Sequence, residues 1–300
     1  MPNEYAGTSS MSEQVRVSVV IPARNEASSV GLVVGKVREL LPEAEIIVVN
    51  DGSSDDTGAL ARGAGATVID HPYSKGNGAS IKTGARAARG EILFFMDADG
   101  QHAPESMAAL LRAMEEGYDM VVGARTNAGQ ASMSRLFANS VYNRFASLVV
   151  GHQIEDLTSG FRAVRREKFL EFLYLLPNGF SYPTTITMAF FRSGYSVKYL
   201  PIEVGRREGE SHISALKDGL KFLLIIFRVC TLYSPLKLFF PLAVLQFATG
   251  ICYYGYTYLT EGRFTNMSVL FLTSALTTFL IGLVSEQITA LIFKHDELSK

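Results

Sequence analysis

Short apolar runs closed by polar clusters recur through the first two thirds of the chain. Residues 15–21 are rich in β-branched side chains and stop at Pro22, which predicts a strand. Residues 45–50 (EIIVVN) predict a second strand, ending at Asp51-Gly52-Ser53-Ser54-Asp55, and residues 66–70 a third. Between the first two the period lengthens, and Val30, Val33, Val34, Val37 and Leu40 share one helical face up to about Leu41. Ser54 or Asp55 predicts the cap of a helix through about Arg62. Lys75-Gly76-Asn77-Gly78 opens another over residues 79–88. Residues 92–96 (ILFFM) are apolar without alternation, the pattern of a strand covered on both faces. Residues 120–122 predict a further strand that ends at Gly123-Ala124-Arg125, followed by a helical stretch over residues 132–150. This alternation predicts an α/β domain: a mostly parallel, Rossmann-like sheet with helices on both sides.

The polar clusters then acquire a meaning. In such a sheet Asn25/Glu26, Asp51 and Asp97/Asp99 fall on one edge, the carboxyl edge where open α/β sheets bind ligands. Asp97 and Asp99, two residues apart, point the same way while the backbone stays extended, and Gly100 then allows a sharp turn. With the amide oxygen of Gln101 they form an all-oxygen donor set suited to Mg²⁺ or Mn²⁺, with water and substrate phosphate completing the shell. The competing reading is a solvated turn in which Asp99 caps a helix that begins near Pro104. Asp51 likewise reads either as a turn residue or as an acceptor for a ring nitrogen of a nucleotide base.

The chain has 300 residues and a formal net charge of −1, which gives no basis for nucleic-acid binding. Hydrophobic residues make up 48%, and their excess lies after residue 215. The two cysteines, Cys230 and Cys252, fall in that region with neither metal-ligand spacing nor a disulfide framework. Residues 1–14 are a polar tail without a cleavable signal pattern. In residues 213–233, Leu216, Leu220, Leu223, Leu224 and Phe227 alternate with Lys217, Lys221 and Arg228, which predicts an amphipathic helix in the membrane interface. Residues 235–259 and 268–293 are apolar and roughly 38 Å long as helices, enough to cross a bilayer. The organisation expected is a catalytic domain over 15–212, the interfacial helix over 213–233, spans over 234–260 and 267–293, and a tail over 294–300. Lys237 and Lys294 flank the outer ends of the hairpin, so the catalytic domain and both termini are expected in the cytoplasm. Glu286, inside the second span, is expected to serve a helix-packing or interfacial role near that surface.

VVIPARNE, VVNDGSSDDT, KGNGASIKTG, FFMDADGQH and DLTSGFRAV, in this order, resemble the family-2 glycosyltransferases of GT-A fold, and more narrowly the polyprenyl-phosphate sugar transferases. The resemblance covers about residues 15–212. It implies a nucleotide-diphosphate sugar as donor, bound by Pro22, Ala23, Glu26, Asp51, Lys82, Asp97 and Ala98. It also implies a metal and diphosphate site at Asp97, Asp99 and Gln101. Asp99, Arg125 and Arg206 would carry the chemistry, and Arg125, Arg135, Arg206, Ser211 and His212 would hold the acceptor phosphate. His212 stands where many relatives have lysine. An arginine usual in relatives near Ser140 is absent, a place Arg135 or Arg144 would fill.

Together these features predict an inverting enzyme that moves a sugar, from a UDP-sugar in the favoured form, onto polyprenyl phosphate at the cytoplasmic leaflet. GDP-mannose as donor, a hydroxyl acceptor, and a non-catalytic anchor are the competing readings, and self-association is left open. A phosphate acceptor is already anionic at neutral pH and needs no general base, so none is assigned and Asp156 is kept as an orienting group.

Overall fold

The computed structural model describes residues 16–100, 104–125, 143–144, 146–147, 150–179, 181–203, 227, 231 and 233–298. The chain forms two compact units: residues 1–129, 159–182 and 198–207, and residues 130–158, 183–197 and 208–300.

The strands of the sheet are β1 (Val17–Ala23), β2 (Glu45–Asn50), β3 (Thr67–Asp70), β4 (Ile92–Phe95), β5 (Met120–Arg125), β6 (Arg162–Arg165) and β7 (Val197–Ile202). Their order is β3-β2-β1-β4-β6-β5-β7. β3, β2, β1 and β4 run parallel. β6 is antiparallel to both β4 and β5, so β5 points the same way as β4. The carboxyl ends of β1, β2, β4 and β5 therefore share one edge, as the sequence predicts, and the amino end of β6 joins them there.

On one face Val19 and Ile21 pack in a core with Val30, Val33, Val34 and Val37 of α1 (Val30–Leu40) and Leu110 and Met114 of α4 (Met107–Glu115). Each such buried side chain contributes about 1.5–3 kcal/mol relative to exposure. α2 (Thr57–Gly63) lies between β2 and β3 in the chain, and α3 (Asn77–Ala87) covers the other face with Ile81 and Ala85 fully buried. Leu40, expected on the buried face of α1, is 44% exposed, because the helix ends there and only its preceding turns reach the sheet. Pro22 does not halt β1. Val20 accepts a hydrogen bond from Met96 on the β4 side, and Pro22, two residues on, turns its donorless nitrogen the same way, where β4 has already ended. The N-cap of α2 is Asp56 without a side-chain bond, while Asp55 Oδ1 accepts from the Thr57 N–H at 3.1 Å.

α5 (Arg166–Glu171) follows β6, and α6 (Tyr182–Arg192) starts at the last residue of one segment of the first unit and continues into the second. In the second unit α7 (Pro235–Glu261) and α8 (Asn266–Leu298) form an antiparallel hairpin, and Gly262 closes α7 with its N–H on the Tyr258 carbonyl. A Cβ at Gly282 would lie 2.6 Å from Phe239 Cβ, so only glycine lets the helices meet there. Leu245, Ile288 and Leu291 are 64%, 54% and 66% exposed, which distinguishes these helices from the buried core helices of a soluble protein. Their length and apolarity suit membrane crossing.

Glu286 takes a defined role. One carboxylate oxygen accepts the Leu236 N–H in the first turn of α7 at 3.1 Å, and the other pairs with Arg192 at 3.2 Å. A carboxylate inside an apolar helix thereby meets a helix-end donor and a counter-charge. The interfacial helix of residues 213–233 lies almost wholly outside the described residues. Within it Phe227 is 48% exposed, and Tyr233 is buried with its hydroxyl on the Thr185 carbonyl at 2.8 Å.

Candidate active site

The loops after β1 and β2 are built from motif residues bonded to one another. Asn25 N–H donates to Ser53 Oγ at 3.0 Å, and Asn25 Oδ1 accepts the Ser54 N–H at 2.9 Å. The Glu26 N–H donates to Thr57 Oγ1 at 2.8 Å, and that of Ala27 to Asp55 at 3.2 Å. These bonds hold Asn25 at φ 56°, the left-handed region that asparagine tolerates. Pro22 is half-buried and Ala23 is buried, its carbonyl accepting the Asp51 N–H at 2.9 Å. Glu26 is half-buried and accepts a bond from Ser29 Oγ at 3.2 Å.

Asp51 is 4% exposed and accepts four hydrogen bonds: His71 Nδ1 at 2.8 Å, Ser74 Oγ at 2.8 Å, and the N–H groups of Lys75 at 2.8 Å and Gly76 at 2.9 Å. Burial alone would raise its pKa, but the bonds from His71, Lys75, Gly76 and Ser74 outweigh it and hold the carboxyl at about 2. The carboxylate clasps the loop after β3 to the end of β2. Asp51→Asn would set an amide NH₂ against donors that need an acceptor. The expected loss of stability is about 1–3 kcal/mol, read as a lower thermal midpoint in detergent. Because the folded pKa lies below the ordinary 3.8, this contribution is complete above about 3.8 and fades as pH falls towards 2. The variant should therefore lose part of the wild type's acid sensitivity in that window.

Lys82 on α3 donates to the Leu176 carbonyl at 3.0 Å and to Asn178 Oδ1 at 2.6 Å. Burial, then the charge of Arg86, keeps its ammonium below the usual lysine range. The first turn of the same helix gives its Gly78 and Ala79 N–H groups to the carbonyls of Gly179 and Asn178. The glycine-rich motif is thus fastened to residues 176–179.

Asp97 and Asp99 follow β4 directly, both half-buried, with Ala98 buried between them and Gly100 turning at φ 70°. Among the described residues no group of three or more His, Cys, Asp or Glu side chains gathers as a metal cage. A pair of hard carboxylates at a strand end instead fits a cation whose shell is completed by phosphate oxygens and water. Arg125 ends β5 at the same sheet edge and is half-buried. Gln101, Arg135, Arg206, Ser211 and His212 lie outside the described residues. Asp156, in the second unit, is 5% exposed, and its Oδ1 accepts both the N–H and the hydroxyl of Thr158 at 3.1 Å.

Sequence reasoning missed β6 and the burial of Arg162, which is fully enclosed. For the burial of Arg162 the signal available was the apolar company of Phe161, Ala163 and Val164; for the strand itself there was none.

Residues 18–173 match the model of glycosyl transferase family 2, and residues 234–291 match that of the GtrB C-terminal hairpin. The chain is 35% identical over 208 residues to polyprenol monophosphomannose synthase of Mycolicibacterium smegmatis, covering 64% of this chain and 78% of that one. It is 29% identical over 303 residues to undecaprenyl-phosphate 4-deoxy-4-formamido-L-arabinose transferase of Photorhabdus laumondii, covering 92% of this chain and 90% of the other. Among solved structures, glucosyl-3-phosphoglycerate synthase from Mycobacterium tuberculosis in complex with Mn²⁺ and UDP-glucose shares the fold. Its TM-score is 0.58 at 21% identity, over 72% of this chain and 78% of that one.

Proposed function

The chain belongs to glycosyl transferase family 2 and is a glycosyltransferase of the polyprenyl-phosphate sugar transferase kind; from that premise we propose that it transfers the sugar of a UDP-sugar to polyprenyl phosphate at the cytoplasmic leaflet, with inversion. The observation that carries this reading is the carboxylate pair at the carboxyl edge of the sheet, in a chain that continues into an apolar hairpin. A water-soluble donor and a lipid acceptor call for both.

The nucleotide is assigned to the ends of β1 and β2, where Pro22, Ala23, Glu26 and the Asp51 clasp shape the loops, with Lys82 fixing the neighbouring segment. Since the four hydrogen bonds to Asp51 come from the protein, its part is to hold that loop for the base. Asp97, Asp99 and Gln101 would hold Mg²⁺ or Mn²⁺, which when bound neutralises charge on the departing diphosphate. Arg125 and Arg206 supply positive charge for the acceptor phosphate, with Arg135, Ser211 and His212 as further contacts. The acceptor oxygen is already anionic, so direct displacement requires no proton acceptor and inverts the anomeric carbon.

The mannose-named relative matches over 64% of the chain and the arabinose-derivative transferase over 92%, and the two-span hairpin inclines the donor assignment to a UDP-sugar. Lys237 and Lys294 at the outer ends of the hairpin support the cytoplasmic placement. The test is a panel of UDP- and GDP-sugars with short-chain polyprenyl phosphate and Mn²⁺, scored by labelled lipid. A UDP-sugar should give a chloroform-soluble product, and transfer from GDP-mannose alone would replace the donor assignment. Absence of lipid product with every donor would overturn the reading.

A further inference from the structure

Beneath the carboxylate pair lies a group of side chains that the transfer chemistry above does not use. Arg162 opens β6 opposite Phe95 of β4 and Val122 of β5 and is fully buried. Its Nη2 donates to the Ser159 carbonyl, its Nη1 lies 3.8 Å from Met120 Sδ, and its Cζ lies 5.9 Å from the ring centre of Tyr182. A guanidinium keeps its charge under all working conditions, and enclosing one costs several kcal/mol unless negative charge lies nearby. The Ser159 carbonyl, the Met120 thioether and the Tyr182 ring are among the groups that receive the Arg162 guanidinium.

Tyr182, the first residue of α6, is 2% exposed, with its ring against Phe95 at 6.4 Å between centres. Burial pushes its phenol well above the ordinary range. The Arg162 charge draws it down, and the Asp97 carboxylate pushes it up. Gly160 marks the junction: a Cβ there would lie 3.4 Å from Asp97 Oδ2 and 3.5 Å from the Tyr182 hydroxyl oxygen. One missing methyl group leaves the phenol and the carboxylate facing a common space.

We propose that Tyr182 and Arg162 form a buried support behind Asp97 that orients its carboxylate and sets how tightly the site holds its divalent cation. The proposal rests on the reading of Asp97 and Asp99 as the metal pair. Two carboxylates so close repel each other and rotate away from a shared target unless something fixes them. A neutral phenol can anchor an oxygen without removing the charge the cation needs. The buried guanidinium of Arg162 relieves part of the mutual repulsion. Tyr182 is thus a positioning residue, and its effect should show in metal binding rather than in folding.

The experiment measures Mn²⁺ uptake by the full chain in detergent, from loss of the free-ion electron paramagnetic resonance signal, with saturating UDP and separately with GDP. Partners in the outer shell of a metal site typically account for 10–100-fold in affinity. Tyr182→Phe should raise the Mn²⁺ dissociation constant about 10-fold, with the thermal midpoint in chelator close to wild type. Gly160→Ala, whose added methyl would meet its neighbours at ordinary contact distance, should shift the constant in the same direction. It also serves if the phenylalanine variant folds poorly. Wild-type Mn²⁺ affinity in a folded Tyr182→Phe or in Gly160→Ala overturns the support. Wild type that takes up no Mn²⁺ with either nucleotide, yet transfers sugar in excess chelator, overturns the metal assignment itself and the support with it.

Discussion

Replacing Asp99 by alanine is expected to abolish sugar transfer and weaken metal-dependent nucleotide binding while leaving the fold in place. The residue lies in the turn after β4, half-buried, beyond the last strand pairing and outside the apolar core. Its removal opens no cavity among the packed valines and phenylalanines, so the thermal midpoint in chelator should stay within a few degrees of wild type. The effect on chemistry should be far larger. Neutralising a departing diphosphate is worth several kcal/mol, and at about 1.4 kcal/mol per factor of ten the loss should reach about 10³-fold. The check is initial rate on polyprenyl phosphate across a Mn²⁺ titration, beside nucleotide binding by calorimetry. Excess chelator should bring wild type down to the same level. Full activity in the variant, or in chelated wild type, would sink the metal assignment.

The sheet was legible because its strands carry their own signature. Residues 46–49 and 92–95 are apolar without alternation, and burial on both faces is the physical reason. The shared edge followed from strand direction alone, which put Asn25, Asp51 and Asp97 together, whereas Arg125 was singled out by the family resemblance. β6 was illegible for the opposite reason. It is four residues long, begins with arginine and runs against its neighbours, so no local pattern separates it from a loop. The Asp51 clasp shows a second limit. Its partners stand 20 to 25 positions away, and nothing in the period of a strand or helix carries information over that distance. The same holds for Glu286. Its depth in an apolar span singled it out, but its counter-charge Arg192 lies 94 positions away.

The question of a catalytic base separates a phosphate acceptor from a hydroxyl acceptor, and Asp156 is where it can be tested. Its Oδ1 is engaged by the N–H and hydroxyl of Thr158, the pattern of a carboxylate that closes a turn. Asparagine keeps an oxygen in that position and removes the charge, so Asp156→Asn should fold normally. If the nucleophile is a phosphate oxygen, no proton has to be removed, and this variant should retain measurable lipid glycosylation. A general base contributes about 10²–10⁴-fold, so a role of that kind could not escape notice. Arg125→Ala should lose more, because it strips positive charge from the sheet edge where two anionic substrates have to be held close together. Initial rates on polyprenyl phosphate, at equal Mn²⁺ and with thermal midpoints recorded for both variants, decide the matter. A dead Asp156→Asn beside a nearly normal Arg125→Ala would refute the phosphate acceptor, and the same pair of proteins should then be assayed on hydroxyl acceptors.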